Sequence, residues 1–170
     1  MSGSAPQLYE EDFVRWTEQQ SRALRDAARI GTNLPLDWEN LAEEIESLGA
    51  SQRRELRRRI GVILEHLLKL EHSPANDPRR GWMETITRQR SEIELLLNDS
   101  PSLSGDVARM ITEELPRVAR LTTRLLRLQG EASSNLAVPS YTEEQVLGDW
   151  FPGDAPLPAG AAGGEREEPA

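Results

Sequence analysis

The feature that most constrains this chain is a run of large apolar residues that recurs at spacings of four, three, four and three. Its members are Leu56, Ile60, Ile63, Leu67 and Leu70. This period places them on one face of an α-helix, whereas a half-buried strand would alternate every second residue. Leu64 and Leu68 widen the same face. The segment is therefore predicted to be a core helix of an all-α protein.

The other helices are predicted from similar spacings and from residues that favour helix ends. A first helix spans about 8–29, a second begins at Asp37, a fourth spans about 80–97, a long element spans about 107–128, and a short helix spans about 142–147. Gly49 is expected to kink or interrupt the second helix before the leucine-rich segment. Pro116 is expected to kink or break the long element, because proline removes a backbone hydrogen bond. The predicted architecture is a bundle of about five to six helices with a long central helix and a short C-terminal helix.

Three further patterns assign an inner face, a helix cap and the end of the domain. Thr142, with Gln145 three residues later, forms a capping-box pattern. Trp150 and Phe151 are expected to fix the end of the ordered domain to the core. An apolar stripe that precedes the leucine-rich segment is predicted to face the core, and it consists of Trp38, Leu41, Ile45 and Leu48.

The two ends of the chain contain few residues that could build a core. Residues 1–7 are expected to be a flexible N-terminus, 8–151 a single helical domain, and 152–170 a disordered tail rich in Pro, Gly, Ala and Glu. No run of about eighteen apolar residues occurs, so no membrane span is predicted. The N-terminus has neither a basic leader nor an apolar signal core, so a cytoplasmic location is expected.

The charge balance disfavours nucleic acid and anionic membranes as partners. The chain has 20 basic and 29 acidic side chains, which gives a net charge of −9. One arginine run departs from this balance, and it comprises Arg53, Arg54, Arg57, Arg58 and Arg59. We interpret the run first as ion pairing with the acidic residues Glu43, Glu44 and Glu46, and alternatively as an anion-binding or nucleic-acid patch.

Polar residues that border the apolar faces are the candidates for chemistry. His66 borders the leucine-rich face, and Lys69 lies on the same side one turn later. Together with Glu43 and Glu44 they form a candidate catalytic set, while Glu43, Glu46 and His66 could bind a divalent metal as the one optional cofactor. The alternative is that His66 is a satisfied structural histidine. The chain has no cysteine and no Glu-x-x-His, His-Glu-x-x-His, P-loop or GxSxG motif, so none of these established sites is indicated.

Tryptophan and glutamine residues on the helical stripes are interpreted mainly as packing residues. Trp16 and Trp82 fall on apolar stripes and are expected to pack in the core. Gln89 interrupts the apolar stripe of the fourth helix. A buried amide at that position needs a hydrogen-bond partner, for which His66 and Glu44 are candidates.

Five sequence blocks, taken in order, carry a resemblance to a known family. They are LYEEDFVRW at 8–16, LDWENLAEEIESLGASQRRELRRRI at 36–60, ILEHLLKLEHSP at 63–74, GWMETITRQRSEIELLLNDSPSL at 81–103 and YTEEQVLGDWFP at 141–152. Together they resemble the bacterial family called domain of unknown function 29. The resemblance implies an all-helical domain with no established activity. It also implies a shared polar cluster between helices, at the positions of Tyr9, Asp12, Trp16, Glu43, Glu44, His66, Lys69, Trp82, Gln89 and Arg90.

Two main functional hypotheses follow. The lack of a catalytic motif and the long leucine-rich stripe favour a protein-interaction or structural module, with a homodimer through the leucine-rich face or another protein as the partner. The alternative is a hydrolase or nuclease-like enzyme that uses the candidate catalytic set with an optional divalent metal. The enzyme requires those four side chains to converge in one cleft, whereas the interaction module does not.

Overall fold

Six α-helices make up the described part of the chain, which is residues 5–131 and 136–154 of a computed structural model. They are α1 (Ala5–Glu11), α2 (Phe13–Ile30), α3 (Trp38–His72), α4 (Arg79–Asp99), α5 (Val107–Leu128) and α6 (Glu143–Leu147), and a 3₁₀ helix, Pro101–Asp106, leads into α5. These ranges contain no strand, which confirms the all-α class, and none of their helices is long and apolar enough to cross a membrane. Residues 1–4 and 155–170, which include most of the predicted tail, lie outside the described ranges.

The central element is α3, and its second half forms the centre of the core. The predicted leucine-rich face is at most 4% exposed at every position: Leu56, Ile60, Ile63, Leu64, Leu67, Leu68 and Leu70. The same cluster includes Ile86 and Ile93 of α4 and Met110 of α5. Burial of each large side chain stabilises the fold by about 1.5–3 kcal/mol. Because this face is filled within one chain, the dimer contact predicted through it is wrong.

Side-chain pairs fix where the neighbouring helices lie along α3. Arg59 donates to Gln89 of α4, and Arg57 donates to Glu114 of α5, at 3.2 Å in each case. Only six residues connect α3 to α4, which runs antiparallel to α3, whereas the pairs of Arg53 with Asp106 and of Arg57 with Glu113 show that α5 runs parallel to it. Counting along each helix from the Arg59 and Arg57 contacts places the end of α4 and the start of α5 near residue 50 of α3. Residues 38–50 therefore extend beyond both helices by about 20 Å, at a rise of about 1.5 Å per residue.

We call α2 together with residues 38–50 of α3 the arm. Thr17 of α2 lies against Gly49 of α3, where an added Cβ would come within 2.3 Å of the Thr17 hydroxyl oxygen. The missing side chain at Gly49 thus allows the two helices to approach closely. Two ion pairs also join them: Arg25 with Glu46, and Arg53 with Glu18.

Neither of the two helices predicted to kink or break is interrupted, and the kinks stay predictions. α3 continues through Gly49, which is a point of helix contact rather than a helix end. α5 likewise continues through Pro116, and the adjacent Leu115 and Val118 are buried. Burial on both sides of the proline offsets the hydrogen bond that it removes.

The inner face predicted for the first part of α3 is also wrong. Ala42 and Gly49 are the buried residues there, whereas Leu41 and Leu48 are 40% and 47% exposed. Periodicity identifies an apolar stripe on a helix but does not identify which neighbour covers it. Among the described elements it is α2 that packs against this part of α3, and it covers the face with the small residues.

The C-terminal helix agrees with its sequence signals. The Thr142 hydroxyl accepts from the backbone N–H of Gln145, and the Gln145 side chain accepts from the backbone N–H of Thr142, which confirms the capping box. Trp150 and Phe151 are partly buried and pack against the core cluster, as predicted.

Replacing Gly49 with alanine should lower the free energy of unfolding by about 1–2 kcal/mol. The added methyl group would displace the Thr17 hydroxyl, which donates to the Val14 carbonyl oxygen at 2.7 Å. Gly81→Ala is the matched control, because Gly81 is also helical and an added Cβ there meets nothing within 4 Å. Denaturant unfolding should show a loss for the first variant, no loss for the second, and a smaller loss for Gly49→Ala in a Thr17→Ala background. Equal effects at the two glycines would contradict the close contact.

Candidate interaction surface

The four candidate catalytic side chains do not meet. Glu43 and Glu44 are exposed on the arm, whereas His66 and Lys69 lie in the second half of α3. Since α3 is one helix, Glu43 and His66 are about 35 Å apart along its axis. A cleft of about 520 Å³ beside α4 is lined in part by Arg90 and contains none of the four. The predicted catalytic cluster of Glu, His and Lys is therefore wrong.

The candidate metal set is separated by the same distance along α3. Glu43 and Glu46 lie on the arm, and Glu46 is paired with Arg25, while His66 lies about six turns further along. Within residues 5–131 and 136–154, no group of three or more His, Cys, Asp or Glu side chains could hold a metal ion. The proposed metal ligands thus do not form a site.

His66 and Lys69 do lie together, each bonded to a residue one turn earlier. His66 Nδ1 is 2.9 Å from the Val62 carbonyl oxygen, and Lys69 Nζ donates to Glu65 at 2.6 Å. Burial lowers the pKa of His66 below its ordinary value of 6.5; the Val62 hydrogen bond opposes this shift, the Lys69 charge adds to it, and the Glu65 charge opposes it. The folded protein therefore favours the neutral imidazole. This environment agrees with the structural alternative for His66.

Side chains of the arginine run connect α3 to α2, α4 and α5 through ion pairs. Arg54 donates to the Ser51 hydroxyl, and Arg58 pairs with Glu55 on the same helix. The remaining three reach other elements: Arg53 pairs with Glu18, Arg57 with Glu113 and Glu114, and Arg59 with Glu92. The predicted ion pairing therefore occurs, although not with the arm acids that we expected. Four of the five guanidinium groups bind carboxylates, which agrees with the ion-pairing interpretation. Arg54, Arg57 and Arg58 also line one shallow cleft with Glu114 and Arg117, so the anion-binding alternative stays a prediction.

Arg90 holds the C-terminal segment against α4. Its buried guanidinium group donates to the carbonyl oxygens of Gln145, Val146 and Trp150 at 2.7–2.9 Å. It also lies 4.9 Å from the centroid of the Phe151 ring. Carbonyl groups at a helix C-terminus have no partner within the helix, so this arginine satisfies groups that burial would otherwise leave unpaired.

Asp12 divides the first predicted helix into α1 and α2. Its carboxylate accepts from the backbone N–H of Arg15 at 3.0 Å and so caps α2. The same carboxylate accepts from both the backbone N–H and the hydroxyl of Ser102 at 2.9 Å. Asp12 therefore joins the start of α2 to the 3₁₀ helix before α5.

The remaining members of the predicted polar cluster also make separate contacts. Trp16 was predicted to pack in the core, but it lies outside the core cluster and packs with the rings of Tyr9 and Phe13, at centroid distances of 4.8 and 5.8 Å. Trp82 packs against the core cluster. Gln89 accepts from Arg59, not from His66 or Glu44 as expected. These residues make contacts in different parts of the fold and do not form one cluster.

The arm carries an apolar surface that no described element covers. We call Leu41, Ile45 and Leu48 the arm stripe, since their spacing places them on one face of α3. Leu41 and Leu48 are exposed, and Ile45 is partly buried. The loop before α3 adds Leu34 and Leu36, which are 60% and 49% exposed. Apolar surface that is grouped in this way and bordered by polar residues is typical of interaction sites.

Acidic side chains surround the arm stripe. Residues 30–50 contain no basic residue and five acidic residues, all of them exposed: Asp37, Glu39, Glu43, Glu44 and Glu46. Only Glu46 among them has an ion-pair partner within the described ranges. Residues 30–50 therefore present an apolar stripe with acidic neighbours, while α2, the other helix of the arm, carries four arginines, of which Arg25 pairs with Glu46.

These features define an all-helical domain whose long central helix extends into an exposed two-helix arm. Residues 8–151 match the family model described as domain of unknown function DUF29, and the chain belongs to this family. An α-helical protein of unknown function from Rhodospirillum rubrum ATCC 11170 has a similar structure, with a TM-score of 0.68 and 25% sequence identity. The match covers 87% of this chain and 91% of that one. A search of curated proteins found no match.

Folding stability should depend on pH through His66. Because its pKa is lower in the folded protein than in the unfolded chain, the unfolded chain takes up a proton first as the pH falls below about 6.5. The wild-type protein should therefore lose more stability between about pH 7.5 and 5.5 than a His66→Gln variant does. Urea unfolding at several pH values measures this difference. Parallel stability curves for the two proteins would contradict the assigned environment of His66.

Replacing Arg90 with methionine should lower the free energy of unfolding by about 2–4 kcal/mol, because three carbonyl groups lose their donor. Arg88→Met is the matched control, since Arg88 is exposed on the same helix and has no hydrogen-bond or ion-pair partner within the described ranges. Hydrogen exchange should become faster in residues 141–151 of the first variant only. Unchanged exchange there would show that Arg90 does not hold this segment.

Proposed function

We propose that this domain is a protein-interaction module that binds its partner through the arm stripe. The observation that carries the proposal is that two leucines of one apolar face, Leu41 and Leu48, are exposed on the part of α3 that extends beyond the bundle. A helix face that serves only to stabilise the monomer would be covered or polar. Covering these leucines with a partner side chain would remove their apolar surface from water.

The charge of the arm indicates the chemistry of the partner. The arm stripe lies among five exposed carboxylates with no base in residues 30–50. The complementary surface is a basic amphipathic helix, with apolar residues that pack on the stripe and Lys or Arg side chains that meet the acidic border. Two arms packed against each other would instead bring like charges together, which disfavours that arrangement.

Two synthetic peptides provide the test. One is an amphipathic helix built from leucine and lysine, and the other has the same leucine positions with glutamate in place of lysine. The full chain should bind the leucine–lysine peptide more tightly in a fluorescence anisotropy titration. A Leu41→Ser/Leu48→Ser variant should weaken this binding by about tenfold or more, because it removes apolar contact and leaves the charges unchanged.

A matched control separates the arm stripe from exposed leucine in general. Leu95 of α4 is 58% exposed and lies outside the arm, so Leu95→Ser should leave peptide binding unchanged. Equal binding by the wild-type protein and the Leu41→Ser/Leu48→Ser variant would show that the peptide is held by charge alone. That result would overturn the proposal.

A further inference from the structure

The second half of α5 carries a basic surface that the family match leaves without a role. Residues 115–130 contain no acidic residue and four arginines, which we call the arginine stripe: Arg117, Arg120, Arg124 and Arg127. All four are exposed. In a chain with a net charge of −9, this segment alone carries +4. Residues 30–50 and residues 115–130 thus carry charges of opposite sign.

Two of these arginines have no partner in the described part of the chain. Arg117 binds Glu114, but neither Arg120 nor Arg124 has a hydrogen-bond or ion-pair partner in residues 5–131 and 136–154. Leu121 and Leu128 are 39% and 80% exposed beside them. The exposed face of α5 is therefore apolar and basic, which is the chemistry that the arm requires of its partner.

The arm and α5 carry segments of matching pattern and opposite charge. Residues 41–48 read LAEEIESL, and residues 121–128 read LTTRLLRL. Each begins and ends with an exposed leucine, and each has a charged residue three positions after the first leucine, Glu44 among three acids in one and Arg124 of two arginines in the other. The fifth position is apolar in both, at Ile45 and Leu125. Two helices with this spacing can pack leucine against leucine with the charges paired at the border.

These two surfaces cannot meet within one chain. The pairing of Arg57 with Glu114 places Arg124 about level with residue 67 of α3, which is about 35 Å along the helix axis from Glu44. We therefore infer that the arm of one copy docks on the arginine stripe of a second copy. This inference rests on the proposed function, since it assigns a partner to the same arm stripe. The contact joins different surfaces of the two copies, so it forms chains or closed rings rather than a twofold dimer.

Charge-reversal variants test the contact in the full-length protein. Glu43→Lys/Glu44→Lys changes the arm and leaves the arginine stripe intact, while Arg120→Glu/Arg124→Glu does the reverse. All four residues are exposed, so the fold should persist, and far-UV circular dichroism verifies this. Arg80→Glu/Arg88→Glu gives the same change in charge as Arg120→Glu/Arg124→Glu, at two exposed arginines of α4 outside both surfaces.

Sedimentation velocity at an ionic strength of about 0.01 M measures the result, because exposed charges are weakly screened there. The wild-type protein and the Arg80→Glu/Arg88→Glu control should form oligomers that grow with concentration and dissociate at about 1 M salt. Each of the other two variants should be monomeric alone. An equimolar mixture of those two should again form oligomers, since the arm of each variant is complementary to the α5 surface of the other.

A protein that combines both reversals in one chain should again form oligomers, because the charges are complementary once more. Monomeric wild-type protein under these conditions, or oligomers that persist in both variants, would overturn the inference. The proposed function has a separate readout, because the arm can still bind the leucine–lysine peptide if the chain does not associate with itself. If the wild-type protein forms oligomers but does not bind the leucine–lysine peptide, that result would instead count against the arm stripe as the contact.

Discussion

The buried leucine-rich face of α3 is the interaction on which the rest of the structure depends. Seven large side chains on one helix are covered by the bundle, and this contact positions α4 and α5 along the second half of α3. Since α3 has 35 residues and the bundle covers only its later part, the first part must extend beyond it. The arm, the separation of Glu43 from His66 and the exposure of Leu41 all follow from that difference in length.

Electrostatic contacts in this protein have two distinct uses. Within the bundle, arginines on α3 pair with carboxylates on α2, α4 and α5, and Arg90 binds carbonyl groups of the C-terminal segment. Outside the bundle, residues 30–50 carry only acidic charges and residues 115–130 carry only basic charges. The net charge of −9 describes neither group, because it averages a negative surface with a positive one.

The parts of the fold that could be predicted from sequence are those set by local periodicity or by capping. The spacing of Leu56 and its partners predicted the core helix, and the Thr142 capping box predicted α6. The hydrogen bonds between Asp12 and Ser102 could not be predicted, because the two residues are 90 positions apart in the chain. No local sequence pattern at either residue indicates the other as its partner. Arg90 did carry a signal, since it lies four residues after Ile86 and three before Ile93, on the buried face of α4. The arm stripe was found by periodicity but assigned to the core, because its exposure depends on where α4 ends.

The continuity of α3 through Gly49 is the central claim, and a distance between two spin labels tests it most directly. The chain has no cysteine, so labels can be attached to an Asn40→Cys/Arg58→Cys variant at two exposed positions five turns apart. A continuous helix predicts one narrow distance distribution centred near 27 Å, at a rise of about 1.5 Å per residue. A broad distribution, or a distinctly shorter distance, would show that the helix bends or breaks at Gly49 and that the arm does not extend from the bundle.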